Sequence, residues 1–185
     1  MLEYIAWGEL LVCWVACVMA FAKPRREAAG AVKAERAPAS RWGIGLVVVA
    51  YAVVWTYIRP VGYHQPAVLS AISMVLGPLA VLLAWAAAHR LGKQWRYEAA
   101  LSEDHELIQT GVYRWLRHPI YASMLAMFLT TGLAWSWWPK TVVGLIFFIA
   151  GTEIRIAAEE RLLMGRFPSY AEYRKRTDAY VPFVR

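Results

Sequence analysis

AVLSAISMVLGPLAVLLAWAAA, residues 67–88, runs for 22 positions without a charged side chain and is followed at once by His89 and Arg90, then by Lys93. A helix rises ~1.5 Å per residue, so about 20 apolar residues cross a hydrocarbon layer ~30 Å thick. The stretch therefore reads as a membrane-spanning helix with a basic far end. Gly77-Pro78 in its middle predicts a kink.

Working outward, the same pattern recurs. Toward the N-terminus, an apolar run from Trp42 to Ile58 is closed by Arg59-Pro60, and another runs from Tyr4 to Ala22. No basic segment precedes Tyr4 and no small-residue cleavage motif follows Ala22, so this run is expected to be a retained helix. Toward the C-terminus lie Ile120–Ala134, barely long enough to span, and Thr141–Ile156. The short Trp135-Ser136-Trp137-Trp138-Pro139 turn between them predicts an antiparallel helical hairpin over 119–157, with the tryptophans at the membrane interface. Beyond Ile156 the pattern predicts a polar helix to Gly165 and a break at Pro168. A second short helix follows, with Ser169 and Glu172 as a capping box. The expected class is all-α: a polytopic membrane protein with about five transmembrane helices and a cytosolic C-terminal helical cap. Residues 1–89 would supply three spans, and residues 90–185 the catalytic region.

Composition agrees. Of 185 residues 59% are hydrophobic and only 18% charged, with a mean hydropathy of +0.38. The net charge of +7 is not a nucleic-acid signature, because the basic residues gather in the loops between apolar runs. Lys23, Arg25, Arg26, Lys33, Arg36 and Arg41 lie in the loop 23–41, whose Ala, Pro and Gly content predicts a mobile linker. Arg59 and Lys140 stand alone in the two opposite loops. The positive-inside rule then puts the N-terminus outside, and the C-terminus and the 89–118 segment in the cytosol. Cys13 and Cys17 share one helix face as apolar packing residues. No Cys or His spacing indicates a metal. Gly43 and Gly45 form a G-x-G with no strand before it, which excludes a phosphate loop. Glu9, near the start of the first span, is expected to snorkel or to make a polar helix contact.

Two polar constellations fall on the cytosolic side. The first is His105-Glu-Leu-Ile-Gln-Thr-Gly-Val-Tyr-Arg-Trp-Leu-Arg117-His118-Pro119-Ile120-Tyr121, with a turn at Thr110-Gly111. Pro119 suits the first turn of a helix, where its missing N–H is no loss. Arg117 and His118 then stand at a helix entrance that favours an anion. The second is Glu153-Ile-Arg155-Ile-Ala-Ala-Glu159-Glu160-Arg161, continuing the last span. Arg155 and Glu159 are four apart, hence on one face. Read alone they are an ion pair worth a few tenths of a kcal/mol. Charges this close to an apolar span usually face protein or a cavity.

These residues resemble the isoprenylcysteine carboxyl methyltransferases. The resemblance rests on Gly111-Val-Tyr113, Arg117-His118-Pro119 and Tyr121. It extends to Arg155-x-x-x-Glu159-Glu160 with Leu163, Phe167, Tyr170 and Tyr173, and to the ending Pro182-Phe183, over roughly residues 90–185. It implies an integral membrane methyltransferase using S-adenosylmethionine. The implied cofactor-binding residues are Glu98, His105, Leu107, Ile108, Tyr113, Arg117, His118, Pro119, Ile120, Tyr121, Glu159 and Glu160. Glu98 falls where the family places a polar contact, often Gln. Arg155 and Glu159 are the implied catalytic residues, with Arg155 on the carboxylate of a lipophilic, isoprenylcysteine-like acceptor that enters from the bilayer. A carboxylate is already ionised at neutral pH, so alignment and desolvation are the main tasks. Three alternatives stand beside this reading: an N-methyltransferase for phospholipid or small amines, with Glu159 or Glu160 as base; a sterol-reductase-like NADPH enzyme; and a non-catalytic membrane protein.

Overall fold

In a computed structural model of the chain, residues 1–28, 34–36, 39–56, 58–92, 100–102 and 106–183 are described. The helices are α1 (Leu2–Ala28), α2 (Ser40–Trp55), α3 (Ala67–Leu91), α4 (Pro119–Trp135), α5 (Trp138–Arg166) and α6 (Tyr170–Arg176). A short 3-10 helix, Gly111–Arg114, precedes α4. Strands β1 (Ala34–Arg36) and β2 (Ala100–Ser102) pair antiparallel, with Glu35 opposite Leu101. Among the described residues the protein is all-α apart from this ribbon.

Among the described residues three helices are long and apolar enough to cross a membrane: α1 over Leu2–Ala22, α3 and α5. The other two, Ser40–Trp55 and Pro119–Trp135, are apolar but of 16 and 17 residues. At ~1.5 Å per residue each is about 24–26 Å long, a little short of the hydrocarbon thickness. The sequence expectation ran α2 on to Ile58. It stops at Trp55, because Thr56 turns extended, returns its hydroxyl to the Val53 carbonyl at 2.8 Å, and receives Lys140 Nζ on its own carbonyl.

The expected hairpin is a hairpin in sequence more than in packing. α5 lies mainly along α2, α4 along α3, and α3 along α1, while α4 and α5 touch each other less. Small residues decide these pairings. A side chain on Gly77 of α3 would meet Cys13 Sγ at 3.0 Å and Thr130 Cγ2 at 3.2 Å, so α3 seats between α1 and α4. Cys13 and Cys17 are buried there as free thiols beside Leu10, Ala80, Ala84 and Met127, the packing role expected of them. Pro78 lies inside α3, which continues unbroken to Leu91. A second core, Val47, Ala50, Val54, Phe128 and Phe148, joins α2, α4 and α5.

Two expectations about the ends change. Trp135 is not an exposed interfacial ring. It packs on Trp7 (5.1 Å between centroids) and Trp55 (5.9 Å) and donates to the Trp55 carbonyl at 3.1 Å. Trp138 is the exposed member of that turn. The loop 23–41 is not linker throughout: α1 extends to Ala28, and β1 occupies Ala34–Arg36.

The helix contacts place the starts of α2 and α4 and the ends of α3 and α5 at one end of the bundle. Gly43 meets Arg155, and Arg90 meets Thr110 and Gly111. The opposite end is closed by Arg59, which pairs with Glu3 and donates to the Trp135 carbonyl at 3.0 Å. Both polar constellations therefore share one end.

Candidate functional site

Gly111 takes φ +65, a left-handed conformation open to glycine, and turns the chain into the 3-10 helix. Four residues past the end of that 3-10 helix the backbone reaches His118, the N-cap of α4, with Pro119, wholly buried, in the first turn. This entrance is strapped by the C-terminal tail. The Arg117 N–H donates to the Asp178 carbonyl and the His118 N–H to the Ala179 carbonyl, each at 2.8 Å. The amides expected to face an anion at Arg117 and His118 are thus taken by the tail, whose extended backbone supplies carbonyls in register.

The side chains beneath the strap converge on Glu160. Arg117 Nε donates to its Oε1 at 3.0 Å, Arg174 Nε approaches its Oε2 at 3.2 Å, and His118 Nε2 lies 3.4 Å from Oε1. Arg117 also donates to the Arg174 carbonyl at 3.1 Å and to that of Thr177. Arg117 and Glu160 were placed by sequence among cofactor contacts. Their partners here are internal, and both point into the protein.

Glu159 points the other way. Its carboxylate accepts a hydrogen bond from the Tyr121 hydroxyl and lies 3.3 Å from His118 Nδ1. Arg155 Nε donates to the same Tyr121 hydroxyl at 2.9 Å, with its guanidinium carbon 5.3 Å from the ring centroid. Arg155 and Glu159 do share a helix face, and Tyr121 is interposed between them. His118, Tyr121 and Arg155 are buried, whereas the Glu159 side chain is 27% exposed and is the one open carboxylate of this group. Burial pushes the His118 pKa down, but hydrogen bonds and charge from Glu159 and Glu160 outweigh it, and the net shift is upward. The His118 ring thus sits between two carboxylates, which favour its charged form.

Tyr113 completes the group. Its backbone carbonyl accepts from the Tyr173 hydroxyl, which pins the 3-10 helix to α6. Its own hydroxyl is buried and, among the described residues, has no hydrogen-bond partner. Burial, and then the charge of Glu159, hold the phenol neutral well above its ordinary range. A buried neutral donor without a partner, beside a half-exposed carboxylate, fits a polar ligand with both acceptors and a positive charge.

Of the remaining sequence candidates, Leu107 and Ile108 are half-buried just before the turn, and Ile120 is half-buried at the start of α4. Glu98 and His105 lie outside the described residues. Sequence reading missed Arg174 and the Thr177–Ala179 strap. Arg174-Lys175-Arg176 is a uniform basic run, yet each member has a different partner: Glu160, Glu172 and Gln109. Nothing in the run marks the first as special. The capping box also fails. Ser169 occupies the N-cap of α6, but its backbone is helical and its side chain makes no capping bond, while Glu172 pairs with Lys175 at 2.8 Å.

Comparison with known proteins bears on this geometry. The sequence profile of the isoprenylcysteine carboxyl methyltransferase (ICMT) family matches residues 71–165, just over half of the chain. The chain is 30% identical to the cobalt-zinc-cadmium resistance protein CzcN of Cupriavidus metallidurans over 119 residues, 62% of this chain and 51% of that protein. It is 30% identical to the protein-S-isoprenylcysteine O-methyltransferase of Saccharomyces cerevisiae over 128 residues, 60% of this chain and 49% of that one. The protein of the same name from Schizosaccharomyces pombe is 29% identical over 84 residues, 45% of this chain and 36% of that one. The chain spans about half the length, or less, of these relatives.

Proposed function

Because this chain is an integral membrane protein that belongs to the isoprenylcysteine carboxyl methyltransferase family, we propose that it is a methyltransferase using S-adenosylmethionine on the carboxylate of a lipophilic, isoprenylcysteine-like acceptor. The observation that carries the proposal is the Arg155–Tyr121–Glu159 relay at the end of the bundle where two apolar helices become polar. It sets a buried cation beside a half-exposed carboxylate, two opposite charges suited to two oppositely charged reactants.

In this reading Glu159, Tyr113 and the α4 entrance hold the donor, whose sulfonium supplies an activated methyl group. Arg155 holds the acceptor carboxylate, where a guanidinium can offer paired donors. Tyr121 fixes the distance between the two charges, and distance is what a displacement reaction between bound partners requires. His118, clamped by two carboxylates, keeps Glu159 turned toward the donor. No base is needed, because a carboxylate acceptor arrives ionised. Glu160 supports this choice over an amine acceptor: bound by Arg117, Arg174 and His118, it is poorly placed to take a proton.

We place the site on the cytosolic face, with the N-terminus outside, by the charge bias of the loops. The water-soluble donor would arrive from the cytosol and the lipid-tailed acceptor between helices. Protein purified in detergent should bind S-adenosylhomocysteine saturably and ignore NADPH. A radiolabelled methyl screen over lipophilic acids, thiols and amines should label the acids. Labelling confined to amines would refute the acceptor class, and NADPH binding without S-adenosylhomocysteine binding would refute the donor.

A further inference from the structure

We propose that Gly43, on α2 and outside the 71–165 stretch that matches the family, is the positioning residue for Arg155 and so governs affinity for the acceptor carboxylate. This rests on the reading of Arg155 as the acceptor-binding group.

α2 and α5 cross with Gly43 against Gly151. A side chain on Gly151 would meet the Gly43 carbonyl at 2.6 Å, and one on Gly43 would meet the Gly151 carbonyl at 2.5 Å. The same Cβ position on Gly43 has a second neighbour of a different kind. Its missing Cβ leaves the place against which the Arg155 stem lies: an added Cβ would stand 2.6 Å from Arg155 Cγ and 3.3 Å from the Arg155 amide nitrogen. The stem thus lies against the α2 backbone, and its guanidinium is set over the Tyr121 ring with Nε donating to the Tyr121 hydroxyl at 2.9 Å. A methyl group at residue 43 must push the stem along the helix or turn it to another rotamer. Either moves the guanidinium away from Tyr121, whereas Glu159, His118 and Tyr113 keep the contacts that hold them to Tyr121, Glu160 and Tyr173. A displacement on the order of 1 Å in a positioning group can cost about a hundredfold in rate.

The same helix supplies two controls. Gly45 is exposed, and a side chain there meets nothing within 4 Å. Gly144 belongs to the same α2–α5 seam, where an added Cβ would meet Phe128 Cζ at 2.9 Å and the Ala50 carbonyl at 3.1 Å, about three turns of α5 away from Arg155. The test compares Gly43→Ala, Gly45→Ala, Gly144→Ala and Arg155→Ala, reading S-adenosylhomocysteine affinity, acceptor KM and kcat, with farnesylcysteine-type acids as probe. Gly43→Ala should raise acceptor KM about tenfold or more, with S-adenosylhomocysteine affinity within about threefold of the parent. Gly45→Ala should match the parent, and Gly144→Ala should lower Tm without a change in KM. Because the Gly151 carbonyl can prevent Gly43→Ala from folding, it is made also with Val47→Ala, which trims the same crossing. The proposal is overturned if Gly43→Ala shows an unchanged KM. It is overturned equally if Gly43→Ala, alone and with Val47→Ala, loses donor binding, since Gly43 would then serve only the helix crossing. An Arg155→Ala chain that keeps the parent KM and kcat would instead overturn the role of Arg155 itself.

Discussion

Arg117 Nε donates to Glu160 Oε1 across 3.0 Å, and the two side chains are only 2% and 4% exposed. They tie the entrance of α4 to the last turns of α5, the two elements that carry Tyr121 and Glu159. A buried pair of this kind stabilises little relative to an apolar pair, but breaking one costs about 3–5 kcal/mol, here toward the lower end because Arg174 and His118 still face Glu160 while the Arg174 and Thr177 carbonyls lose their donor. Arg117→Ala should therefore lower Tm sharply in detergent, and donor binding should fall with it. Arg174→Ala should behave differently. That side chain is 45% exposed, and an exposed partner contributes about 0–1 kcal/mol, so Tm should barely change. Thermal denaturation of the two variants side by side separates the roles.

His118 makes stability depend on pH. Its folded pKa is raised above the unfolded value of about 6.5 by the two carboxylates, which prevail over burial. A raised folded pKa means that the contribution is fully present below the unfolded pKa and is lost as pH rises through the folded one. Tm should fall on that alkaline limb, and His118→Gln should flatten the dependence. A wild-type Tm that rises across the limb would contradict the clamp.

Tyr121→Phe removes the hydroxyl shared by Arg155 and Glu159 and keeps the ring. Hydrogen bonds to charged groups contribute about 1.5–3 kcal/mol, so kcat/KM should drop roughly tenfold to a hundredfold. Loss of fold should not accompany it, since Ile156, Ala179 and Tyr180 still pack on the ring. Steady-state kinetics with a circular dichroism melt checks both halves.

Tyr113→Phe tests the unpartnered phenol. No hydrogen bond to a described residue is lost, so Tm should stay level or rise slightly. If the hydroxyl serves the donor, S-adenosylhomocysteine affinity should fall by about fivefold to tenfold, one neutral hydrogen bond's worth. Calorimetric titration reads this directly, and unchanged affinity would remove Tyr113 from the site.

Much of this was legible in the residues. Long apolar runs located α1, α3 and α5, because hydropathy over a full span is a strong signal. Pro119 marked the start of α4, and the i, i+4 spacing put Arg155 and Glu159 on one face. Pairing between helices was not legible. α5 chooses α2 over its sequence neighbour α4 through Gly43, Gly144 and Gly151, and small residues carry no directional pattern in an apolar run. The role of Arg174 was equally hidden, since one member of a basic run differs from the next only in what it meets. Glu159 and Glu160 are adjacent and alike in sequence. The 100° between neighbouring helix positions turns one toward the open site and the other into the strap.

The central claim is a division of labour, with Glu159 and its neighbours on the donor and Arg155 on the acceptor. Its most direct measurement sets Arg155→Ala beside the parent in two assays, S-adenosylhomocysteine binding and methyl transfer to a prenylcysteine acid. Turnover should fall by about a hundredfold or more, with binding within about threefold of the parent. Equal loss of both would contradict it.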